Sequence, residues 1–252
     1  MIMFSKENIV FDVNRFFVEQ YCKNKDQIID SIYVLTNTWV EKLNISSLNQ
    51  ITVKDIQLFD NELGKVDFSI GSGGLVSNIY LSYSTAVNLV KDSPFYTAAK
   101  YNNAYATFCH EIYHVYDREQ LLKRSSIFVN MDKSKKAEIL AGLKIWTEFF
   151  AAYSTFEICE QTHVYDDFDS SLHDWPLRVD KTSYNISRLL GYHLKSGHSI
   201  RCDTLIAKLN SKFISSIESL LKEMLAKYPV ITANDLTTLK SVLDYLIPIC
   251  AQ

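Results

Sequence analysis

Ala104-Tyr105-Ala106-Thr107-Phe108-Cys109-His110-Glu111-Ile112-Tyr113-His114-Val115-Tyr116-Asp117 holds two histidines four residues apart, with a glutamate directly after the first. The surrounding run is free of Gly and Pro from Phe95 to Ala141, so it can form a helix. On a helix, residues four apart lie on one face, so the imidazoles of His110 and His114 point the same way and can chelate one ion. Glu111, three before His114, stands beside that ion, placed to take a proton from a metal-activated water. Two neutral imidazoles favour Zn2+, which in catalytic sites takes about three protein ligands. Phe108, Ile112, Val115 and Leu122 recur at helical spacing on a different face, so the helix is expected to pack on one side and line a cleft on the other. Cys109 adjoins His110 but points about 100° away around the helix, which makes it a poor ligand.

On the N-terminal side, residues 64–74 hold four of the seven glycines. Period-two alternation over residues 51–59 and 66–70, then an apolar run over 75–83, predicts a small antiparallel sheet of three or four strands. Gly71-Ser72-Gly73-Gly74 reads as a hairpin turn, since it lacks the Lys-Ser/Thr ending of a phosphate loop. Before the sheet, residues 9–43 have a mostly helical pattern, and Ile9-Val10-Phe11 is a further strand candidate. Asp26 is positioned to cap a helix carrying Ile28, Ile29, Ile32, Leu35, Trp39 and Leu43.

The histidine helix is expected over 97–122. A basic connector follows with Lys123, Arg124, Lys133, Lys135 and Lys136, and reads as solvated surface. Residues 137–160 predict a long apolar helix in which Glu148 sits among Ile145, Trp146, Phe149 and Phe150. A carboxylate in such surroundings is costly unless it meets a cation or a metal, so Glu148 is the candidate third ligand. The competing reading pairs Glu148 with Lys144 one turn back. Glu138, Glu157 and Glu160 lie nearer the polar ends, and Asp117 is better placed to support a site than to complete it. Ala151 and Ala152, one turn on from Glu148, are small enough for the histidine helix to approach closely.

Sheet, His-Glu-x-x-His helix, connector and Glu-bearing helix, over residues 51–160, resemble the gluzincin branch of the zincin metallopeptidases. The resemblance implies zinc ligands His110, His114 and Glu148, Glu111 as general base, and hydrolysis of peptide bonds in a peptide or protein substrate. It also implies a cleft-edging strand, assigned to Ile79, Tyr80 and Leu81, that binds an extended peptide by strand addition. An oxyanion donor is implied downstream, with Tyr153, His163 and His193 as candidates beside Tyr165, His173 and Tyr184. The chain departs from the pattern in three respects. His114 is followed by Val-Tyr-Asp rather than the metzincin Gly and third His. The position four after Glu148 is Ala152, where many gluzincins carry Asp. The segment from His114 to Glu148 is longer than in thermolysin-like enzymes.

The remainder predicts a helical C-terminal lobe. Residues 161–176 form an acidic, aromatic stretch with His163, Asp166, Asp167, Asp169, His173 and Trp175, whose spacing is not that of an EF-hand. Asp180, Asp203 and Asp235 are placed to start three helices, the first stopping at Gly197, the second before Pro229 and the last before Pro248. The fold class is thus α+β and mostly helical, with the small sheet preceding the histidine helix, in lobes 1–122 and 123–252 packed as one compact unit.

Composition bounds the alternatives. The 252 residues are 47% hydrophobic and 22% charged, as in a globular chain that buries a full core. A net charge of -3 gives no electrostatic case for nucleic acid or an anionic membrane. No apolar run is long enough to span a bilayer, and residues 1–7 lack the order of a signal peptide. The five cysteines are scattered without C-x-x-C pairs and read as reduced thiols of a cytoplasmic protein. A catalytically silent zinc-fold scaffold for a protein partner would keep the helices without needing Glu111. A purely structural helical protein would need none of the three ligands.

Overall fold

A computed structural model describes residues 4–13, 25–55, 63–71, 74–91, 96–125, 127, 135–156, 179–197 and 211–250. These divide into two compact units, Met1–Glu119 and Gln120–Gln252.

The first unit carries the sheet, with strands β1 (Ile9–Asp12), β2 (Leu48–Lys54), β3 (Gly64–Gly71) and β4 (Gly74–Ser82) in the spatial order β1-β2-β4-β3. β1 pairs parallel with β2, and β2 parallel with β4, while only β3 runs antiparallel, against β4. The sheet is therefore mixed, not antiparallel as the sequence suggested. The reason is helix α1 (Lys25–Leu43), which lies between β1 and β2 in the chain and supplies the crossover that parallel neighbours require. The hairpin expectation holds in its register, Gly71 facing Gly74. Residues 56–62 and 72–73, parts of the expected strand and turn, lie outside the described residues.

A second correction concerns the cleft-edging strand. Ile79, Tyr80 and Leu81 lie in β4, which has β2 on one side and β3 on the other. Its backbone groups are used in the sheet, and Ile79 and Leu81 are wholly buried. An interior strand cannot receive a further strand, so the position at this end of the sheet belongs to β3. The Ser82 amide donates to the Leu63 carbonyl at 3.0 Å. With that phase, Lys65, Asp67 and Ser69 face their bonding partners in β4, and the backbone groups of Gly64, Val66, Phe68 and Ile70 point away from it.

After the short α2 (Tyr83–Asn88), capped by the Ser82 hydroxyl, comes the histidine helix α3 (Ala98–Arg124), close to the expected bounds. Phe108, Ile112 and Val115 are fully buried as their spacing predicts, but Leu121 rather than Leu122 continues the core. Two polar contacts fix α3 within the first unit. The buried Glu119 carboxylate accepts from the Ser46 and Ser47 amides at 2.8 and 2.9 Å and from the Ser46 hydroxyl at 2.7 Å, which ties the helix to the start of β2. Trp39 of α1 donates its indole N–H to the Tyr105 hydroxyl at 3.2 Å and meets Tyr113 edge-on at 5.6 Å.

The second unit is helical where described: α4 (Lys136–Thr155), α5 (Val179–Ser196), α6 (Ser211–Lys227) and α7 (Ala233–Cys250). Residues 201–210, including Asp203, Ile206 and Leu209, lie outside the described residues, as do 128–134 and 157–178 with Glu157 and Glu160. Small residues set the packing of α4. A Cβ at Gly191 of α5 would fall 2.5 Å from the Phe149 carbonyl oxygen and 2.9 Å from Ala152 Cβ. Ala152 thus admits α5. A Cβ at Gly142 would intrude on the Leu236 carbonyl of α7.

α5 ends at Gly197 with φ +60, the left-handed stop the sequence predicts. α7 starts earlier than Asp235, which is its third residue and not its cap. Asp235 accepts from the Thr232 amide and hydroxyl, each at 2.8 Å, while its own amide donates to Thr232 Oγ1 at 3.2 Å, a reciprocal box. Burial pushes the Asp235 carboxyl up, but the Thr232 donors and Lys227 outweigh it and hold it below its ordinary value. α7 also continues through Pro248, past the stop the sequence suggested, although a proline there forgoes one intrahelical hydrogen bond.

Candidate metal centre

The local sequence of α3 does what its spacing requires. His110 Nε2 and His114 Nε2 lie 3.0 Å apart, the rings crossing at 89° with centroids 4.5 Å apart. Both rings are buried, so their donor atoms converge in a protected space rather than in bulk water. Two nitrogens at about 2.0–2.1 Å from one zinc, at a tetrahedral angle, would stand about 3.3 Å apart, so the pair is spaced for a shared ion. An ion there requires the neutral imidazoles to hold their protons on Nδ1.

Among the described residues, the ligand atoms of His110, His114 and Glu148 all lie within 4.8 Å of one another. Glu148 is 4% exposed, flanked on α4 by the buried Ile145, Trp146, Phe149 and Phe150, whereas Lys144 is exposed. Two neutral nitrogens and one carboxylate oxygen, all buried, form a donor set that can hold a metal ion. Glu138 is exposed at the start of α4, as its place near the polar end implies.

Glu111 is 6% exposed and stands against the edge strand. A Cβ at Gly64 of β3 would fall 2.9 Å from both Glu111 Cγ and Glu111 Oε1. Four residues along the strand from Gly64, the Phe68 ring centre lies 5.2 Å from the Arg118 guanidinium. Neither contact was visible in the sequence. The available signal was a glycine at a strand position, where a missing side chain often marks a close approach.

Cys109 is buried and is not among the converging ligand groups. It lies beside Tyr105, whose hydroxyl is pushed up to about 12 by burial first and by the neighbouring thiol second. Asp117 is fully buried one turn beyond His114. The oxyanion candidates fare differently. His193 is buried on α5 with Nε2 2.7 Å from Glu218 Oε1 of α6. It lies about 200° around α5 from Gly191, the residue that abuts α4. Tyr153 stacks on Phe149 at 5.9 Å, with Lys195 Nζ 5.2 Å from its ring centre. Among the described residues, His193 is not one of the groups whose ligand atoms converge with those of His110, His114 and Glu148. His163, Tyr165 and His173 lie outside the described residues, as do the Tyr184 side chain and the acidic stretch 161–176. No protein-family model, no curated protein and no solved structure matches the chain.

Proposed function

We propose that the chain is a zinc metallopeptidase of the gluzincin kind, with His110, His114 and Glu148 as ligands and Glu111 as general base. The observation that carries this reading is the buried convergence of two imidazole nitrogens 3.0 Å apart with a carboxylate oxygen, next to a second buried acid, Glu111. A purely structural helical protein has no reason to bury that combination, since desolvating four polar side chains is costly without a cation to offset it.

When bound, zinc lowers the pKa of a water towards ~7 and polarises the scissile carbonyl. The chain's own groups do the rest. Glu111 accepts the proton of the attacking water and delivers it to the leaving amine. Its burial keeps competing solvent from the carboxylate. The substrate, an extended peptide, is presented by β3, whose outward backbone groups from Gly64 to Ile70 offer strand-type hydrogen bonds beside Glu111.

The test compares wild type with Glu111→Gln, first for zinc content and then for cleavage of proteins in lysate. Both should carry about one zinc, because Glu111 is not a ligand, and the variant should lose ~10²–10⁴ in rate. Identical cleavage patterns, or a wild type that binds a partner stably and never cuts it, would favour the scaffold reading instead.

A further inference from the structure

Gly64 begins the edge strand, and nothing about its backbone asks for glycine. The positive-φ residues among those described are Asn44, Gly74 and Gly197, so Gly64 is not there for conformational freedom. Glycine brings no side chain to pack at a strand position and often marks a close approach. Here the approach is that of Glu111, whose Cγ, Cδ and Oε1 would lie 2.9, 3.1 and 2.9 Å from any Cβ at this position.

The strand cannot retreat to make room. The Leu63 carbonyl is held from two sides, by the Ser82 amide and the Thr85 hydroxyl, each at 3.0 Å. Gly64 itself registers against Leu81 in the buried β4. Further along, Phe68 lies under Arg118. From Gly64 to Phe68 the strand advances about 13 Å, and from Glu111 to Arg118 the helix advances about 10 Å. Strand and helix are therefore in touch at two separated points, and neither swings freely about one of them. The atoms that an added methyl would meet all belong to the Glu111 side chain.

We propose that Gly64 is the positioning residue for Glu111: its missing side chain is the space that holds the carboxylate beside the histidine pair. Its meaning for turnover rests on the peptidase reading above, while the contact itself rests on geometry alone. A methyl group at position 64 turns the carboxylate out of place and leaves the metal ligands where they are.

The test is Gly64→Ala in three backgrounds: wild type, Glu111→Gln and Glu111→Ala. Zinc stoichiometry should match wild type. On a fluorogenic peptide library, kcat should fall by ~10²-fold, the loss expected of a catalytic group displaced by about an ångström, with KM little changed. In the Glu111→Gln background the same substitution should add no further loss. In urea unfolding, Gly64→Ala should lower the midpoint of the wild type but not of Glu111→Ala, in which the obstructing atoms are gone. An equal midpoint shift in both backgrounds, or an unchanged kcat in Gly64→Ala, overturns the proposal. If wild type cleaves nothing in the library, the peptidase reading fails by itself, and the unfolding cycle still decides whether Gly64 positions Glu111.

Discussion

Glu148 shows what a single side chain can reveal before any ligand is seen. Its neighbours on α4 are aromatic and aliphatic, and its carboxylate is buried with the two imidazoles close by. Glu148→Ala should weaken zinc affinity by more than ~10²-fold, the upper range for residues that only support ligands. The exposed Glu138→Ala should leave affinity unchanged, and equilibrium dialysis against zinc measures both. Equal retention would mean that the carboxylate ligand is another residue. This site was legible in the sequence because its information is local: His110, Glu111 and His114 share two turns of one helix, and Glu148 contrasts with its immediate neighbours. Gly64 was not legible. Its partner is 47 positions away in the chain, and no spacing rule connects a strand glycine to a helix carboxylate.

At the scale of elements, close approach decides more than propensity. Gly142 lets α4 and α7 meet backbone to side, and an added methyl would strike the Leu236 carbonyl, which belongs to a helix backbone and cannot rotate away. Gly142→Ala, favourable in an isolated helix by about 1 kcal/mol, should therefore destabilise the protein by about 1–3 kcal/mol or more. Urea unfolding gives the sign directly, and a stabilised variant would show that α7 does not pack there. The histidine helix was readable from its stripe, expected over 97–122 and found at Ala98–Arg124, whereas the short α2 was not. Nor was the direction of the strands. β1 is four residues long, and only the crossover through α1 makes it parallel to β2. The cleft edge was assigned to β4 from the resemblance alone, but β4 lies between β2 and β3. β3, with exposed Lys65, Asp67 and Ser69, instead forms the end of the sheet.

For the whole molecule, a metal that binds only the folded chain adds its binding energy to stability. With free zinc at 100 times its dissociation constant the gain is about 2.7 kcal/mol, which for a chain of this length corresponds to roughly 5–10 °C in melting temperature. Chelation should lower the melting temperature by that order. A His110→Ala/His114→Ala double variant should melt at the same temperature with and without chelator. Equal sensitivity in both proteins would place the metal elsewhere. Among the described residues no helix is long and apolar enough to cross a membrane, in agreement with the sequence.

The alternating backbone of β3 leaves a trace in isotope exchange. The Lys65, Asp67 and Ser69 amides are tied to β4, while those of Val66, Phe68 and Ile70 point away from the sheet. In deuterated buffer the strand should therefore take up label with a two-residue rhythm, slow and fast in turn. A peptide lying along that edge would slow the fast set and leave the slow set unaltered. Loss of the rhythm would thus report, amide by amide, where a substrate docks, even in a Glu111→Gln protein that cannot cut it.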